Sequence, residues 1–258
     1  MAQPKRRPTK RYGWIPDLPD RRDRIFSAPE ATLRALPARV DMRAQHPPVY
    51  NQGQLGSCTA QAIAAALEFA QAKQRQPDVF TPSRLFIYYN ERVVLGTVDE
   101  DSGAMLRDGI KSVAQQGGPH EALWPHVISR FRQKPNAAAY RDGALHEAIL
   151  YQRLPPSLDQ LKGCLADGFP FVFGFSVYDS FESRVVTTTG EVPLPGPRET
   201  LLGGHAVAAV GYEETRRRFI LRNSWGTEWG VKGYFTMPYE YLLDSGLSDD
   251  FWTVKLVE

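Results

Sequence analysis

Three stretches of the chain differ in how apolar and polar residues alternate. From Met1 to about Arg39 no period is sustained. Arg and Pro dominate, and Pro16, Pro19, Pro29 and Pro37 interrupt any regular element, which predicts an extended arm with turns. From about Val40 to Leu150 the pattern is helical. Cys58 to Gln74 is Ala-rich with no internal Gly or Pro, a strong helix former. Ile63, Leu67 and Ala70 fall at i, i+4 and i+7 and predict one apolar face. Gln52 to Ser57, holding Gly53 and Gly56, reads as a loop that enters this helix. Pro82–Val94 and Ala104–Gln116 are further helix candidates. From about Tyr151 onward the runs Phe171–Val177, Ala206–Tyr212, Arg218–Arg222, Gly233–Met237 and Phe251–Val257, separated by turn residues, predict strands. The expected organisation is an extension over 1–35, a mainly helical lobe over 36–150 and a mainly β lobe over 151–258. That is an α+β fold with its site in the groove between lobes.

Composition narrows the functional classes. The 258 residues are 42% hydrophobic and 23% charged, as expected of one large domain or two lobes sharing a cleft. No apolar run is long enough to cross a membrane. A net charge of +2 argues against dedicated nucleic-acid binding, so Lys5-Arg6-Arg7 and Arg21-Arg22 read as a solvated or acid-pairing arm. The basic, proline-studded beginning has no apolar h-region and does not read as a Sec signal peptide. There are two cysteines, Cys58 and Cys164. Pairing them would consume the thiol that the chemistry below needs, so no disulfide is expected. That points to the cytoplasm, or to export without a Sec signal. No Cys/His cluster has metal-ligand spacing, and neither a metal nor a cofactor is expected. The chain is expected to be monomeric.

A thiol attacks a carbonyl as a thiolate, so a nucleophilic cysteine needs something that lowers its pKa. Cys58 lies where a glycine-containing loop enters a helix, and the positive end of the helix dipole favours the anion there. A histidine brought close would complete a thiolate–imidazolium pair. His205 is the best candidate, because it follows Gly203-Gly204 and starts an apolar strand, whereas His46, His120, His126 and His146 lie in polar or Pro-flanked segments. Asn223, directly after the strand-like run Arg218–Arg222, can accept the ring N–H and fix the tautomer. Trp225 can shield that bond. The backbone N–H of Cys58 and the side-chain amide of Gln52 are candidate donors to an oxyanion. Each residue alone has a plain structural reading: a small buried hydrophobe for the cysteine, a polar core or surface residue for the histidine, a turn former for the asparagine. The joint pattern singles them out.

Asn51-Gln-Gly-Gln-Leu-Gly-Ser-Cys58, Gly204-His-Ala-Val-Ala-Ala-Val-Gly-Tyr212 and Asn223-Ser-Trp-Gly-Thr-Glu-Trp-Gly230 closely resemble the three active-site blocks of the papain-like cysteine proteases. Leu36-Pro-Ala-Arg-Val-Asp-Met-Arg43 resembles the start of a mature member, so the resemblance spans about Leu36 to Glu258. It implies a two-lobe fold, with a helical left lobe and an antiparallel, β-barrel-like right lobe. It implies an endopeptidase with Cys58 as nucleophile, His205 as general acid/base, Asn223 as its orienter and Gln52 in the oxyanion hole. It also implies Trp225 and Trp229 as primed-side walls, Gly103 (followed by Ala104) at the cleft edge beside the substrate backbone, and Gly174, Gly204 and Ala206 lining the cleft. The floor of the S2 pocket falls on Asp250, with Asp249 as alternative, which implies a preference for basic P2 residues.

The chain also departs from the family pattern. Leu55 replaces a disulfide cysteine and Thr59 an aromatic residue, and the long inhibitory prodomain is not recognised. The stretch Arg11 to Asp23 instead resembles the short leader of bacterial xylellain-type enzymes, and the arm, with Tyr12, Trp14 and Ile15, is expected either to lie across the cleft as a lid or short propeptide or to pack on the back of a lobe. The partner is a peptide or protein substrate. A bell-shaped pH profile is expected, limited by ionisation of the thiol and of the imidazole. Other readings are a Cys-dependent amidase, isopeptidase or transglutaminase, and a catalytically idle peptide-binding relative.

Overall fold

A computed structural model describes residues 12–257. In chain order its elements are α1 (Glu30–Arg34), β1 (Arg39–Asp41), α2 (Cys58–Lys73), α3 (Arg84–Leu95), α4 (Leu106–Gln116), α5 (Ala137–Gly143), β2 (Ala148–Arg153), α6 (Leu158–Ala166), β3 (Phe171–Tyr178), α7 (Arg184–Thr189), β4 (Leu201–Glu213), β5 (Arg218–Arg222), β6 (Tyr234–Pro238), α8 (Tyr239–Leu243) and β7 (Ser248–Val257). The long helices and strands fall where the apolar pattern places them, and the class is α+β. Lys5–Arg7 and the rest of residues 1–11 lie outside the described part of the chain.

The expected apolar face of α2 is an understatement. Fourteen of its residues are buried, from Cys58 to Gln71. A helix buried all round is a core element, not a surface one. The run of alanines is what permits this, since small side chains let α3 and α4 approach from one side and β4 and β7 from the other. α3 opens on a Ser83 cap that accepts from Phe86 N–H and ends at Gly96 in the left-handed conformation.

The sheet is antiparallel, in the order β2-β7-β3-β4-β5-β6, with β1 pairing β4 beside this path. Among the described residues it stays open, which corrects the barrel-like expectation. Its outer strands are covered by short local pairings instead of closing on each other. Ile25 bridges Arg153 on β2, and Glu191 bridges Thr236 on β6. Register matters most along β3 and β4, where Gly174 faces Ala206, Phe175 faces His205 and Ser176 faces Gly204. The apolar aromatic residues of β3, β5, β6 and β7 pack into one core with α2.

The segment before β1 is more structured than a plain extended arm. Residues 12–17 pass between the lobes. Phe26 is then buried, with its N–H on Arg153 O, and Ala28 packs at Gly163 of α6. α1 follows and also contacts α6. The segment therefore contacts Gly204 and Ala104 with residues 13–15 and packs on β2 and α6 with residues 25–34.

Candidate active site

Cys58 opens α2, and the loop before it is stitched to the segment after β5. Gln52 N–H donates to Ser224 O at 2.9 Å, and Asn51 bridges Trp225. Ser57 makes no side-chain cap, so the helix N-terminus keeps its donors for other use. The Cys58 sulfur accepts from the backbone N–H of Ala206 on β4, of Gly13 on the arm and of Thr59. The side chain is fully buried, and burial pushes its thiol up to about 12 in spite of those donors. Burial under the arm thus works against the charged form of the sulfur.

His205, at the start of the buried part of β4, is also fully buried. Its Nε2 lies 2.8 Å from Asn223 Oδ1. Ser224 N–H donates to the same oxygen at 2.8 Å. That second donor fixes which end of the amide faces the ring, so the ring must present Nε2–H and keep Nδ1 for other chemistry. Trp225 stacks on the imidazole with centroids 4.8 Å apart and planes 28° from parallel. Phe175 and Phe181 meet the same ring at 5.7 Å and 6.4 Å. The sequence-expected shield is thus Trp225 within an aromatic cage that also includes Trp229, which meets Trp225 edge-on at 5.3 Å. Gln52 is fully buried. Its Nε2 donates to Leu55 O at 2.8 Å and its Oε1 accepts from Ser224 Oγ at 2.6 Å.

The cleft is filled by the arm. Gly13 crosses above the loop before Cys58, so close that a Cβ there would sit 1.8 Å from Gly56 O. Trp14 N–H donates to Gly204 O at 2.9 Å. On the other side Ala104 N–H donates to Gly13 O at 2.8 Å and Ile15 N–H to Ala104 O at 3.0 Å. Gly103 does not supply these backbone bonds; Ala104 does, as a parallel bridge with Trp14. Gly103, at positive φ, is what lets Gly13 pass, since a Cβ there would meet Gly13 O at 2.3 Å. Tyr12 sits against His205 and Trp225 and its hydroxyl donates to Glu182. Beyond it a groove of about 600 Å³, lined by Asn51, Gln54, Glu182, Trp225, Glu228 and Trp229, stays open.

The indole of Trp14 occupies the space over Gly174, where a Cβ would come within 1.9 Å of the ring. At its base Trp14 Nε1 donates to Asp250 Oδ2 at 3.0 Å, and Asp17 N–H donates to the same oxygen at 2.7 Å. Asp250 Oδ1 faces Arg153 at 3.2 Å. Asp250 is fully buried, whereas Asp249 is half exposed on the same guanidinium. Burial first, and the neighbouring Asp17 charge second, raise the Asp250 carboxyl to about 7. Asp17 is raised as well, by burial, although Arg107 N–H and Trp252 Nε1–H both donate to it.

The structure brings Cys58, His205, Asn223 and Gln52, singled out in the sequence, into one region beside Trp14 of the arm, and adds three supporting groups that were not singled out. Ser224 orients both Gln52 and Asn223, Phe181 completes the aromatic cage, and Asp17 locks the arm to Asp250. Ser224 sits within the quoted Asn-Ser-Trp-Gly block, and its position next to the orienter was the available signal. Nothing local marks Phe181 or Asp17.

A model of the papain family cysteine proteases matches residues 36–250. An uncharacterized peptidase C1-like protein of Acanthamoeba polyphaga mimivirus is 41% identical over 273 residues, covering 96% of this chain and 88% of that protein. The crystal structure of xylellain, a cysteine protease from Xylella fastidiosa, is similar over the whole of both chains, with a TM-score of 0.90 and 44% identity. A procathepsin L2 from Tenebrio molitor larval midgut shares the fold at a TM-score of 0.74 and 21% identity, over 96% of this chain and 78% of that one.

Proposed function

The chain belongs to the papain family of cysteine proteases, and on that premise we propose that it is an endopeptidase built on Cys58, His205, Asn223 and Gln52, held closed by residues 12–17. The observation that carries the assignment is the meeting of two chain segments. The Ala206 N–H reaches the Cys58 sulfur while the adjacent His205 is held through Nε2 by Asn223. With the arm displaced, water and the imidazolium stabilise the thiolate at the helix N-terminus. The sulfur attacks the peptide carbonyl carbon, and its oxygen becomes an anion facing the Cys58 N–H and the Gln52 amide. Collapse breaks the C–N bond as His205 Nδ1 gives its proton to the leaving nitrogen. Water, deprotonated by the same nitrogen, then hydrolyses the thioester and returns Cys58. Asn223 keeps Nε2 protonated throughout, so one nitrogen handles every proton transfer.

The reading of the arm as a closed state rests on its direction. In a substrate the residue filling S2 precedes the scissile bond and therefore the residues on the Trp225 and Trp229 side. In the arm, Tyr12 lies on that side and Trp14 against Gly174, Gly204 and Asp250, so the chain runs the opposite way. The parallel pairing with Ala104 agrees with this reversal. No peptide carbonyl is then offered to Cys58 in the productive sense, which accounts for an occupied cleft with an intact chain. The pocket admits an indole, so large P2 residues fit. Asp250 offers them one oxygen, Oδ2, because Oδ1 is engaged by Arg153, and P2 residues with a donor, basic or indole, are favoured. Cleavage of a peptide library by the wild type and by Cys58→Ala, scored also for cuts within the protein's own first 40 residues, tests the assignment. Thiol-dependent cleavage that survives Cys58→Ala would overturn it.

A further inference from the structure

Away from the cleft, the segment after α4, the last turn of α5 and the turn that follows it bring His120, Asp142 and His146 together. One ligand-type atom from each lies within 4.8 Å of the others. No linear spacing announces the group, because His120 follows α4 whereas Asp142 ends α5 and His146 lies in the turn after it. The backbone fixes the meeting. Gly117 and Gly143 touch so closely that a Cβ on Gly117 would sit 1.6 Å from Gly143 O. Gly118 N–H donates to His146 O at 3.1 Å, and Pro82 bridges His120 while Ser83 N–H donates to Pro119 O at 2.7 Å. Asp142 Oδ2 takes the His120 backbone N–H at 2.9 Å, which holds the carboxylate in place.

We propose that His120 Nδ1, Asp142 and His146 form a binding site for a divalent metal ion of the zinc class, with water completing a tetrahedron. Two observations point the same way. His120 Nδ1 and Asp142 Oδ2 are 2.9 Å apart as a hydrogen-bonded pair, and an ion replacing the shared proton needs them to part only to the ~3.3 Å edge of a zinc-ligand tetrahedron. On the far side of the same ring, Nε2 lies 3.1 Å from Asp78 Oδ2. A histidine bound to metal through one nitrogen characteristically donates its other N–H to a carboxylate, which fixes the tautomer and strengthens the ligand. Phe80 stacks on His120 at 3.6 Å and meets His146 edge-on at 4.6 Å, and this holds the two rings 5.3 Å apart and nearly perpendicular. Two imidazoles and one carboxylate form the donor set that zinc accepts with an open fourth position. The ion ties the α2–α3 connection, through Asp78, to the turns after α4 and α5. It thereby staples the helical lobe of a chain whose two cysteines, Cys58 and Cys164, are both free thiols.

The test uses full-length Cys58→Ala protein, so that the cleft thiol does not compete, stripped with chelator. Calorimetric titration with Zn²⁺, and with Co²⁺ read by its d–d absorption, should give one equivalent bound and a higher melting temperature. His146→Ala and Asp142→Asn should each abolish stoichiometric binding, while Asp78→Asn should weaken it roughly 10- to 100-fold without removing it. His146→Gln, checked for native circular dichroism, serves if the alanine variant fails to fold. No stoichiometric binding by the parent protein, or binding unchanged by the His146 and Asp142 substitutions, overturns the site. Neither result bears on catalysis, which rests on other residues.

Discussion

Trp14→Ala separates an inhibitory arm from a merely structural one. The indole is nine-tenths buried in the pocket over Gly174 and donates to Asp250. Burying an indole removes about 200 Å² from water, or about 5 kcal/mol at 25 cal/mol per Å². That is an upper bound, since a displaced arm still shields part of its surface. Alanine also keeps some contact, so a loss of about 3 kcal/mol is the working figure, which is roughly a hundredfold in the docking equilibrium. An arm occupying the substrate cleft is an intramolecular competitor. Opening it should lower KM for a fluorogenic peptide by up to that factor while kcat stays nearly constant. The second readout is Cys58 itself. Buried under Gly13 its thiol is pushed to about 12, so iodoacetamide reacts only with the open form, and its rate should rise in the same proportion as KM falls. Trp14→Phe, which keeps bulk and loses the indole donor, should fall between. Equal KM and equal alkylation rates for the wild type and Trp14→Ala would refute the competition argument.

Gly13→Ala should act still more strongly, because its Cβ would meet Gly56 O at 1.8 Å, backbone against backbone; the check is the same pair of rates, and unchanged alkylation would contradict the close approach. The pH response of the arm follows from Asp250 and Asp17, which face each other with Asp249, Arg153 and Arg107 beside them and are both raised in the docked state, Asp250 to about 7. Undocking returns them toward the ordinary carboxylate value of about 3.9, so docking takes up protons; its protonation-linked stabilisation is complete below about pH 4 and is lost as pH rises through 7. The activity of full-length protein relative to a form beginning at Leu36 should therefore increase from pH 4 to pH 8, and a ratio that falls with pH would reverse the assignment. Asn223→Ala should lower kcat/KM about a hundredfold and shift the alkaline limb of the pH profile, because the ring loses its tautomer lock; a loss without any change in the profile would indicate a structural role only. Asp250→Asn should reduce the advantage of Arg over Leu at P2 about tenfold, read from P2 peptide libraries with the arm removed.

The parts of this molecule that were legible in the sequence are those whose physics is local. The absence of Gly and Pro from 58–74 gave a helix of nearly the expected bounds, and the apolar runs near 171, 206, 218, 234 and 251 became strands. What escaped depends on packing. One apolar face was expected for α2, but burial on all sides is decided by β4 and β7, whose approach an alanine run permits but does not encode. Closure of the sheet was expected, yet the pairings that cover β2 and β6 are single bridges from residues without strand character. The short elements α1, α6, α7 and α8 lie in segments too brief for a period to emerge. In the site, Cys58 at the start of α2 and Asn223 just after β5 stood out by position, and His205 and Gln52 only through the joint pattern they make with them. Asp17 and Phe181 did not, because their partners lie on distant elements of the chain.

The arm engages the groups that the proposed endopeptidase would offer a substrate. It takes the carbonyl of Gly204, both polar atoms of the Ala104 backbone, the space over Gly174 and one oxygen of Asp250. On the proposed reading arm and substrate exclude each other, and no separate allosteric element is required to couple them. Such an inhibitor need not bind tightly in its own right. Residues 24–35 fasten the arm to β2 and α6 through Phe26, Ala28 and α1, which keeps the cleft-filling part at an effective concentration in the millimolar range. On that reading weak reversed contacts at high effective concentration close the site, while a reversed backbone spares the arm from the proposed nucleophile it covers. The two features depend on each other: a forward-running arm so tethered would be cut at Cys58, and an untethered reversed one would be diluted away.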